Sequence, residues 1–439
     1  MQTNFSPVQL ADPHMAESEK ILRACVHCGF CTATCPTFLL LGDELDSPRG
    51  RIYLIKDMLE KNKPADATVV KHIDRCLSCL ACMTACPSGV HYQHLVDHAR
   101  GYIEATYKRP LADRLLRTFL GFVLPYPDRF RFALAAAPLE RLFRTFTPRL
   151  GRTGRRLDAM MQLAPTYRRK ALSVPRPTLP PTVLAPKARV ALLRGCVQQV
   201  LRPEINEAAI RMLSRLGVET VLPQGEGCCG ALLHHLGKEK AALQQARANI
   251  DVWCAEAARN ELDAIVITAS GCGSMIKDYG FLLRKDEARA QKAAQVSSLA
   301  KDITEFLAGL ELPPPVIPPR LVVAYHAACS LQHGQKIDTI PRELLRHAGF
   351  EVRGVPEGHI CCGSAGTYNI LEPELAGRLR ERKISNIMQT SPDVIATGNI
   401  GCLTQLASAT SIPVLHTIEL LDFACGGPEP PGLGSWPRH

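Results

Sequence analysis

Nowhere in the sequence do about eighteen uncharged apolar residues follow one another, so no segment reads as a helix able to cross a bilayer. The first residues, MQTNFSPVQLADPHMAESEK, lack the basic start, apolar stretch and small-residue cleavage site of a secretory signal. A cytoplasmic location is therefore expected. No G-x-G-x-x-G follows a strand-like run and no G-x-x-x-x-G-K-[ST] occurs, which excludes the common dinucleotide and nucleoside-triphosphate loops. Groove-reading and base-stacking motifs are missing too, so no nucleic acid is expected as a partner despite a net charge of +10. Wholesale disorder is excluded by a composition of 46% hydrophobic and 21% charged residues. What is abundant is cysteine, 18 in 439 residues. In a reducing compartment so many thiols point to metal or redox chemistry rather than disulfides.

Eight of the cysteines form two runs, CVHCGFCTATCP at 25–36 and CLSCLACMTACP at 76–87. Both fit C-x2-C-x2-C-x3-C-P, in which three closely spaced thiolates hold one cubane and the fourth ligates its partner. That rule assigns Cys25, Cys28, Cys31 and Cys86 to one 4Fe-4S cluster, and Cys76, Cys79, Cys82 and Cys35 to another. Pro36 and Pro87 fix the turn that sends each fourth thiolate away, and small residues such as Gly29 and Ala81 let the chain approach closely. Zinc held by four cysteines is the alternative, but two matching runs each ending in proline favour iron and sulfide. Around the runs, ESEKILRA, GRIYLIKDMLEK and VVKHIDR carry apolar residues at helical spacing.

A second pattern is an internal repeat. Cys196 is followed 32 residues later by Cys228-Cys229-Gly230, and Cys329 is followed 32 residues later by Cys361-Cys362-Gly363. Cys272 closes the first unit and Cys402 the second. In the first unit ARVALLRG, a helix over 203–216, VETVL, a helix over 238–260 and DAIVITA alternate as βαβαβ, which predicts a parallel sheet covered by helices. The cysteines then fall just beyond the carboxyl ends of strands, where open α/β sheets place their sites. Adjacent cysteines point apart on a regular strand, so each doublet must sit in a turn, for which Gly230 and Gly363 supply the freedom. Two pseudo-symmetric sites are expected: Cys196, Cys228, Cys229 and Cys272, and Cys329, Cys361, Cys362 and Cys402.

Positive charge is concentrated at 108–170, with 15 Lys or Arg against four acids, while the remainder is nearly neutral. This segment contains the amphipathic stretches LADRLLRTFLGFV and PLERLFRTF, and it suggests contact with an acidic partner or a membrane surface, or docking on the protein itself. Proline-rich linkers follow at 174–186 and 311–320.

The two ferredoxin-type runs and the two CCG units, with ILRACVHCGFCTATCPTFLLLGDELDSPRGRIYLIK and CCGSAGTYNI, resemble the family of glycolate oxidase (glycolate dehydrogenase) iron–sulfur subunits. The resemblance spans 21–425. It implies an α-helical ferredoxin-like domain at 1–107, a basic helical segment and linker at 108–186, and a first CCG cysteine-rich domain at 187–310. A linker at 311–320, a second CCG domain at 321–425 and a loosely held tail at 426–439 would complete the chain. The resemblance further implies an electron-transfer subunit with two 4Fe-4S clusters, and a further cluster or zinc at the CCG sites. Its partners would be FAD-binding subunits that oxidise glycolate to glyoxylate, and its acceptor a quinone or another carrier. Peripheral attachment to the inner face of the cytoplasmic membrane fits that role. With no flavin or dinucleotide site visible, the chain contributes no catalytic residue of its own. Similar modules serve lactate and glycerol-3-phosphate dehydrogenases and heterodisulfide reductases, so those activities, including thiol–disulfide reduction at the CCG sites, stand as alternatives. Heterodisulfide-reductase units carry a fifth thiol where this chain has Met275 and Gln405.

His27, His234, His235, His326, His333 and His359 lie near cysteines but are read as structural. Arg49 and Arg51 either bring positive charge towards a cluster or start a solvated helix. Cys254 and Cys425 fall outside both patterns.

Overall fold

Prolines and short polar caps set where the N-terminal helices begin. Asp12, Ser47 and Asp66 each accept a hydrogen bond from a first-turn amide, of His14, Gly50 and Val69, and Pro13 and Pro48 occupy the first helical position. The helices Pro13–Ala24, Pro48–Glu60, Ala67–Asp74 and Tyr92–Thr106 follow. Leu22, Ile55, Leu59, Ile73, Leu95 and Ile103 close their common core and are fully buried. Each such side chain contributes roughly 1.5–3 kcal/mol. The two cysteine runs fill the connections between these helices. The structure, a computed structural model, describes residues 1–136, 151–163, 186–316 and 321–434. The stretch PLERLFRTF and the proline-rich residues 174–185 and 317–320 lie outside them.

Both runs share one backbone device. His27 and Gly29 in the first, and Ser78 and Leu80 in the second, take left-handed φ values of 55°, 86°, 49° and 62° at matching positions. Alternating handedness curls a chain and turns successive amides inward, which makes a cradle for negative charge. At Leu80 this conformation costs roughly 1–2 kcal/mol, a strain that only the surrounding structure can hold.

The repeat forms two four-stranded parallel sheets. The first has β1 (Ala188–Leu193), β2 (Val218–Val221), β3 (Ala264–Ile267) and β4 (Ala300–Asp302) in the order β2-β1-β3-β4. The second has β5 (Val322–Tyr325), β6 (Glu351–Gly354), β7 (Val394–Thr397) and β8 (Val414–His416) in the order β6-β5-β7-β8. The helices expected at 203–216 and 238–260 are Glu204–Arg215 and Glu239–Arg259. Each unit thus carries one strand more than the three expected from its pattern. β4 and β8 have three residues each, AKD and VLH, too short to show a period of two. In both sheets the chain moves outward from the first strand and returns to its other side. The crevice beyond the carboxyl ends of β1 and β3, and of β5 and β7, is the switch point where such sheets bind ligands.

The two units share one core, in which Val190, Leu213 and Val266 join Val323, Ile395 and Leu421. Across the seam Arg202 binds Glu419 at 2.8 and 3.0 Å, and His416 Nε2 meets the Thr268 carbonyl at 2.7 Å. Asp422 is buried between Arg211 and Arg215. The tail is not loose as far as residue 434, because Leu433 inserts into this core.

The basic segment begins with the helices Leu111–Val123 and Pro127–Ala136, and Gly151–Leu163 lies further on. Part of its charge is consumed internally. Arg109 holds Asp74 at 2.7 Å, Arg117 bridges Asp74 and Asp113, and Arg156 reaches Asp113 at 2.8 Å and the Leu371 carbonyl at 2.8 Å. These ties bind the ferredoxin-like part, the basic segment and the second sheet unit to one another. No described helix is long and apolar enough to cross a membrane.

Two glycines test the turn argument. A Cβ at Gly363, where φ is 89°, would lie 2.5 Å from the Ala376 carbonyl oxygen, whereas nothing lies within 4 Å of one at Gly377. Gly363→Ala is expected to destabilise the protein by at least about 1–3 kcal/mol. Gly377→Ala, inside a helix, should stabilise it by roughly 0.5–1 kcal/mol. Thermal unfolding of the two variants should move in opposite directions.

Candidate functional site

The first run lies at the surface. A small cavity of about 30 Å³ is lined by Cys25, Cys28, Cys31 and Cys86 together, with Arg49, Ile52 and Pro87 beside them. Cys28 is exposed, and Val26, Phe30 and Tyr53 around it are 66%, 65% and 53% exposed. Burial and then the neighbouring Cys25 thiol push the Cys31 thiol up to about 11. The second run is enclosed. Cys35 lies among Cys76, Cys79 and Cys82, so the fourth cysteine of each run sits with the first three of the other. Burial and adjacent thiols raise Cys79 and Cys82 well above the ordinary thiol range. Thiols in that condition ionise only when a metal supplies compensating charge.

Both arginines of SPRGR face these groups. Arg49 pairs with Glu44 at 2.7 Å and holds its guanidinium against Gly29. Arg51, 1% exposed, donates to the His72 carbonyl at 2.8 Å and to Thr37 Oγ1 at 2.9 Å, with Cys35 Sγ 3.7 Å away. Burial opposes its charge, but the thiols of Cys76 and Cys35 and the Asp46 carboxylate outweigh that cost and raise its pKa. Asp46 is fully buried and receives Arg51, Arg75 at 2.7 Å and His72 at 2.9 Å. In the grouping of Asp43, Asp46 and His72 it is therefore Asp46 that forms an ion-pair hub, while Asp43 accepts from the Leu45 amide at 3.0 Å.

The repeat brings its cysteines together twice. In the first set the sulfurs of Cys196, Cys228, Cys229 and Cys272 lie within hydrogen-bonding reach in that order. In the second the order is Cys329, Cys361, Cys362 and Cys402. The doublets sit in turns as expected, with Gly230 and Gly363 at φ 91° and 89° and their amides 3.5 and 3.4 Å from Cys228 and Cys361 Sγ.

The sets differ in their surroundings. His326 points a ring nitrogen at Cys362 and Cys402, all three ligand atoms lying within 4.8 Å of one another. Neither ring nitrogen has a hydrogen-bond partner, and burial lowers the imidazole to about 3, so it stays neutral and free to ligate. The same position in the first unit, three residues before Cys196, is Leu193. Lys383, 1% exposed, lies against Cys329, Cys361 and Cys362 and donates to the Glu357 carbonyl at 2.8 Å; burial lowers its pKa. Its counterpart, seven residues beyond the alanine that abuts the doublet glycine, is Asn249. That amide clamps the turn instead, through the Gly227 amide at 2.8 Å and the Cys228 carbonyl at 3.0 Å. His326 was read as structural from sequence. Aligning the two units position by position is the signal that singles it out with Lys383.

The second run touches the second set. Cys79 packs on the cluster containing Cys329 and Cys361, and Thr84 Oγ1 lies 2.9 Å from His333 Nδ1. The remaining histidines form structural contacts. His27 stacks on Tyr53 at 4.3 Å, His234 pairs with Asp97 at 3.3 Å, and His359 lends its carbonyl to His333. Met275 and Gln405 are buried; the Gln405 amide is satisfied by Asn369 and the Ala376 carbonyl. Cys254 is half-buried and Cys425 buried, apart from both sets.

Asp46→Ala is expected to cost about 3–5 kcal/mol, because it leaves Arg51 buried without a carboxylate. Removing the partly exposed partner by Arg75→Ala should cost about 1 kcal/mol or less. Denaturant unfolding of the two variants measures the contrast.

The model of a 4Fe-4S dicluster domain matches residues 21–90, and that of a cysteine-rich domain matches 190–277 and 323–407. The chain is 45% identical to the glycolate oxidase iron–sulfur subunit of Escherichia coli (strain K12), over 97% of this chain and 99% of that one. It is 32% identical to the probable glycolate oxidase iron–sulfur subunit of Bacillus subtilis (strain 168), over 92% and 94%. Lactate utilization protein A of Bacillus licheniformis is 26% identical over 53% of this chain and 99% of its own. Among solved structures, a hypothetical protein from Helicobacter pylori shares the fold, with TM-score 0.51, 10% identity and coverage of 96% of this chain and 74% of that one.

Proposed function

The chain belongs to the family of glycolate oxidase iron–sulfur subunits, and from that premise we propose that it carries electrons between flavoprotein subunits and an acceptor. The observation that carries this reading is the spatial order of the thiols. Cys28 stands exposed among apolar side chains, the second run lies behind it, and Cys79 of that run packs against Cys329 and Cys361. One 4Fe-4S cluster would be held by Cys25, Cys28, Cys31 and Cys86, and the other by Cys76, Cys79, Cys82 and Cys35. A further centre, iron–sulfur or zinc, would use Cys329, Cys361, Cys362 and Cys402 with His326, and a like site Cys196, Cys228, Cys229 and Cys272. Such clusters exchange single electrons, and so divide the electron pair that glycolate gives up in becoming glyoxylate.

The protein's own side chains set the terms of that exchange. Val26, Phe30 and Tyr53 offer an apolar rim on which an FAD-binding subunit can exclude water from Cys28. Arg49 at the first run and Arg51 at the second place a positive charge beside each cluster, favouring its electron-rich state, and Lys383 sets an amino group against the thiols of the CCG set. The acceptor would be a quinone or another carrier, reached by a complex lying peripherally on the inner face of the cytoplasmic membrane.

Anaerobically purified protein should contain at least about eight iron and eight acid-labile sulfide per chain. Cys28→Ser should abolish reduction of the final acceptor while sparing glycolate oxidation measured with a dye at the flavin. Stoichiometric zinc without sulfide would falsify the relay.

A further inference from the structure

The helices Leu111–Val123, Pro127–Ala136 and Gly151–Leu163 cover a cavity of about 280 Å³ whose floor is the first thiol set, Cys196, Cys228, Cys229 and Cys272. Its walls include Leu120, Val123, Leu163, Leu201, Leu232 and Ile370, and among the described residues no Lys, Arg, Asp or Glu lines it. A carboxylate such as glycolate, or a phosphate-bearing carrier, would enter without any countercharge. Two polar atoms on the lining lack partners: Gln198 Oε1, in a side chain 2% exposed, and His235 Nδ1. Buried polar atoms are normally satisfied, so orphans in an apolar cavity indicate where a ligand's own polar atoms belong. On the far wall stands Asn399, whose amide donates to Cys402 Sγ at 3.5 Å. The cavity therefore lies between the two thiol sets, with the second set one side chain away.

The outer face of the covering helices is apolar as well. Leu111, Leu115, Phe119, Phe122, Tyr126 and Phe132 are between 42% and 78% exposed, and they are six of the fifteen exposed large apolar side chains among the described residues. The first four recur at helical spacing, Phe119 belongs both to this face and to the cavity wall, and Arg129 lies 4.0 Å over the rings of Phe122 and Tyr126. An apolar helical face edged by arginine fits the boundary of an anionic bilayer.

We infer that this cavity is where a membrane-dissolved, quinone-class carrier is reduced, its ring entering past Phe119 and its oxygens meeting Gln198 Oε1 and His235 Nδ1. This rests on the relay reading and names its terminus. The balance is complete: two electrons from glycolate and two protons from water convert the two ring carbonyls to hydroxyls. One of these donates to Gln198 Oε1, and the other pairs with His235 Nδ1.

The intact complex should be photolabelled by an azido derivative of a short-chain ubiquinone within 119–134, 195–201 or 228–235, and ubiquinone-1 should compete. Leu232→Trp, which fills the cavity, should raise the KM for ubiquinone-1 by about tenfold or more. Glycolate should still bleach the visible absorbance of the clusters in that variant. Phe122→Ser/Phe132→Ser should weaken sedimentation with phosphatidylcholine–phosphatidylglycerol vesicles by at least about tenfold. Labelling confined to other segments, or an unchanged KM in folded Leu232→Trp, overturns the cavity assignment. Wild-type complex that ignores the vesicles overturns entry from the membrane. Clusters that glycolate cannot bleach in the wild type condemn the relay itself, an outcome the photolabel does not depend on.

Discussion

Thiols crowded away from water cannot all ionise, and this single electrostatic constraint organises the molecule. Sixteen of the 18 cysteines stand in four groups. Burial and mutual proximity hold Cys31, Cys79 and Cys82 in the protonated state until a cation arrives. The strained turn at Leu80 and the glycine turns at the doublets bring sulfurs together at the cost of backbone freedom. Arg51 is buried where nearby thiols and the Asp46 carboxylate hold a charge that burial alone would expel, whereas at Lys383 burial outweighs its neighbours and lowers the pKa. Metal binding and the final shape of these regions are thereby coupled.

Much of this was legible in the sequence because spacing is a direct record of geometry. The C-x2-C-x2-C-x3-C-P runs specify turns between helices and an exchange of fourth cysteines, and the structure places Cys86 with the first run and Cys35 with the second. The doublets twice recur at one interval, and their glycines stand in the conformation a turn requires. What escaped notice is carried by contacts between residues distant in sequence. The AKD and VLH strands are defined by their neighbours in the sheet and have too few residues for a pattern of their own. Arg109, Arg117 and Arg156 look like free surface charge until Asp74 and Asp113 fold against them. A cavity has no sequence signature, since helix, turn and strand-end residues from 119 to 404 combine to line it.

The two halves of the repeat have kept their frame and diverged at their sites. The first thiol set has Leu193 and Asn249 at the positions where the second has His326, with a ring nitrogen near Cys362 and Cys402, and Lys383, against Cys329, Cys361 and Cys362. The ferredoxin-like part also treats them differently. Its second cysteine run lies against the second set, whereas the first set is approached through His234 and Asp97 and opens on the apolar cavity. A duplicated scaffold thus carries one thiol set packed against the second cysteine run and another that opens on a cavity.

The core that runs unbroken from one sheet unit to the other has a mechanical consequence. With Val190 and Val323 in one packed interior, and Arg202 and His416 fastening the seam, the two sheets are held as one packed body. The strand-end walls of the cavity at that seam are part of this body, while its cover is the separate helices Leu111–Val123, Pro127–Ala136 and Gly151–Leu163. A guest of the kind inferred above would be selected against those walls by shape and by the lack of charge among the described lining residues, and its time inside would be set by how easily it slides back past the covering helices.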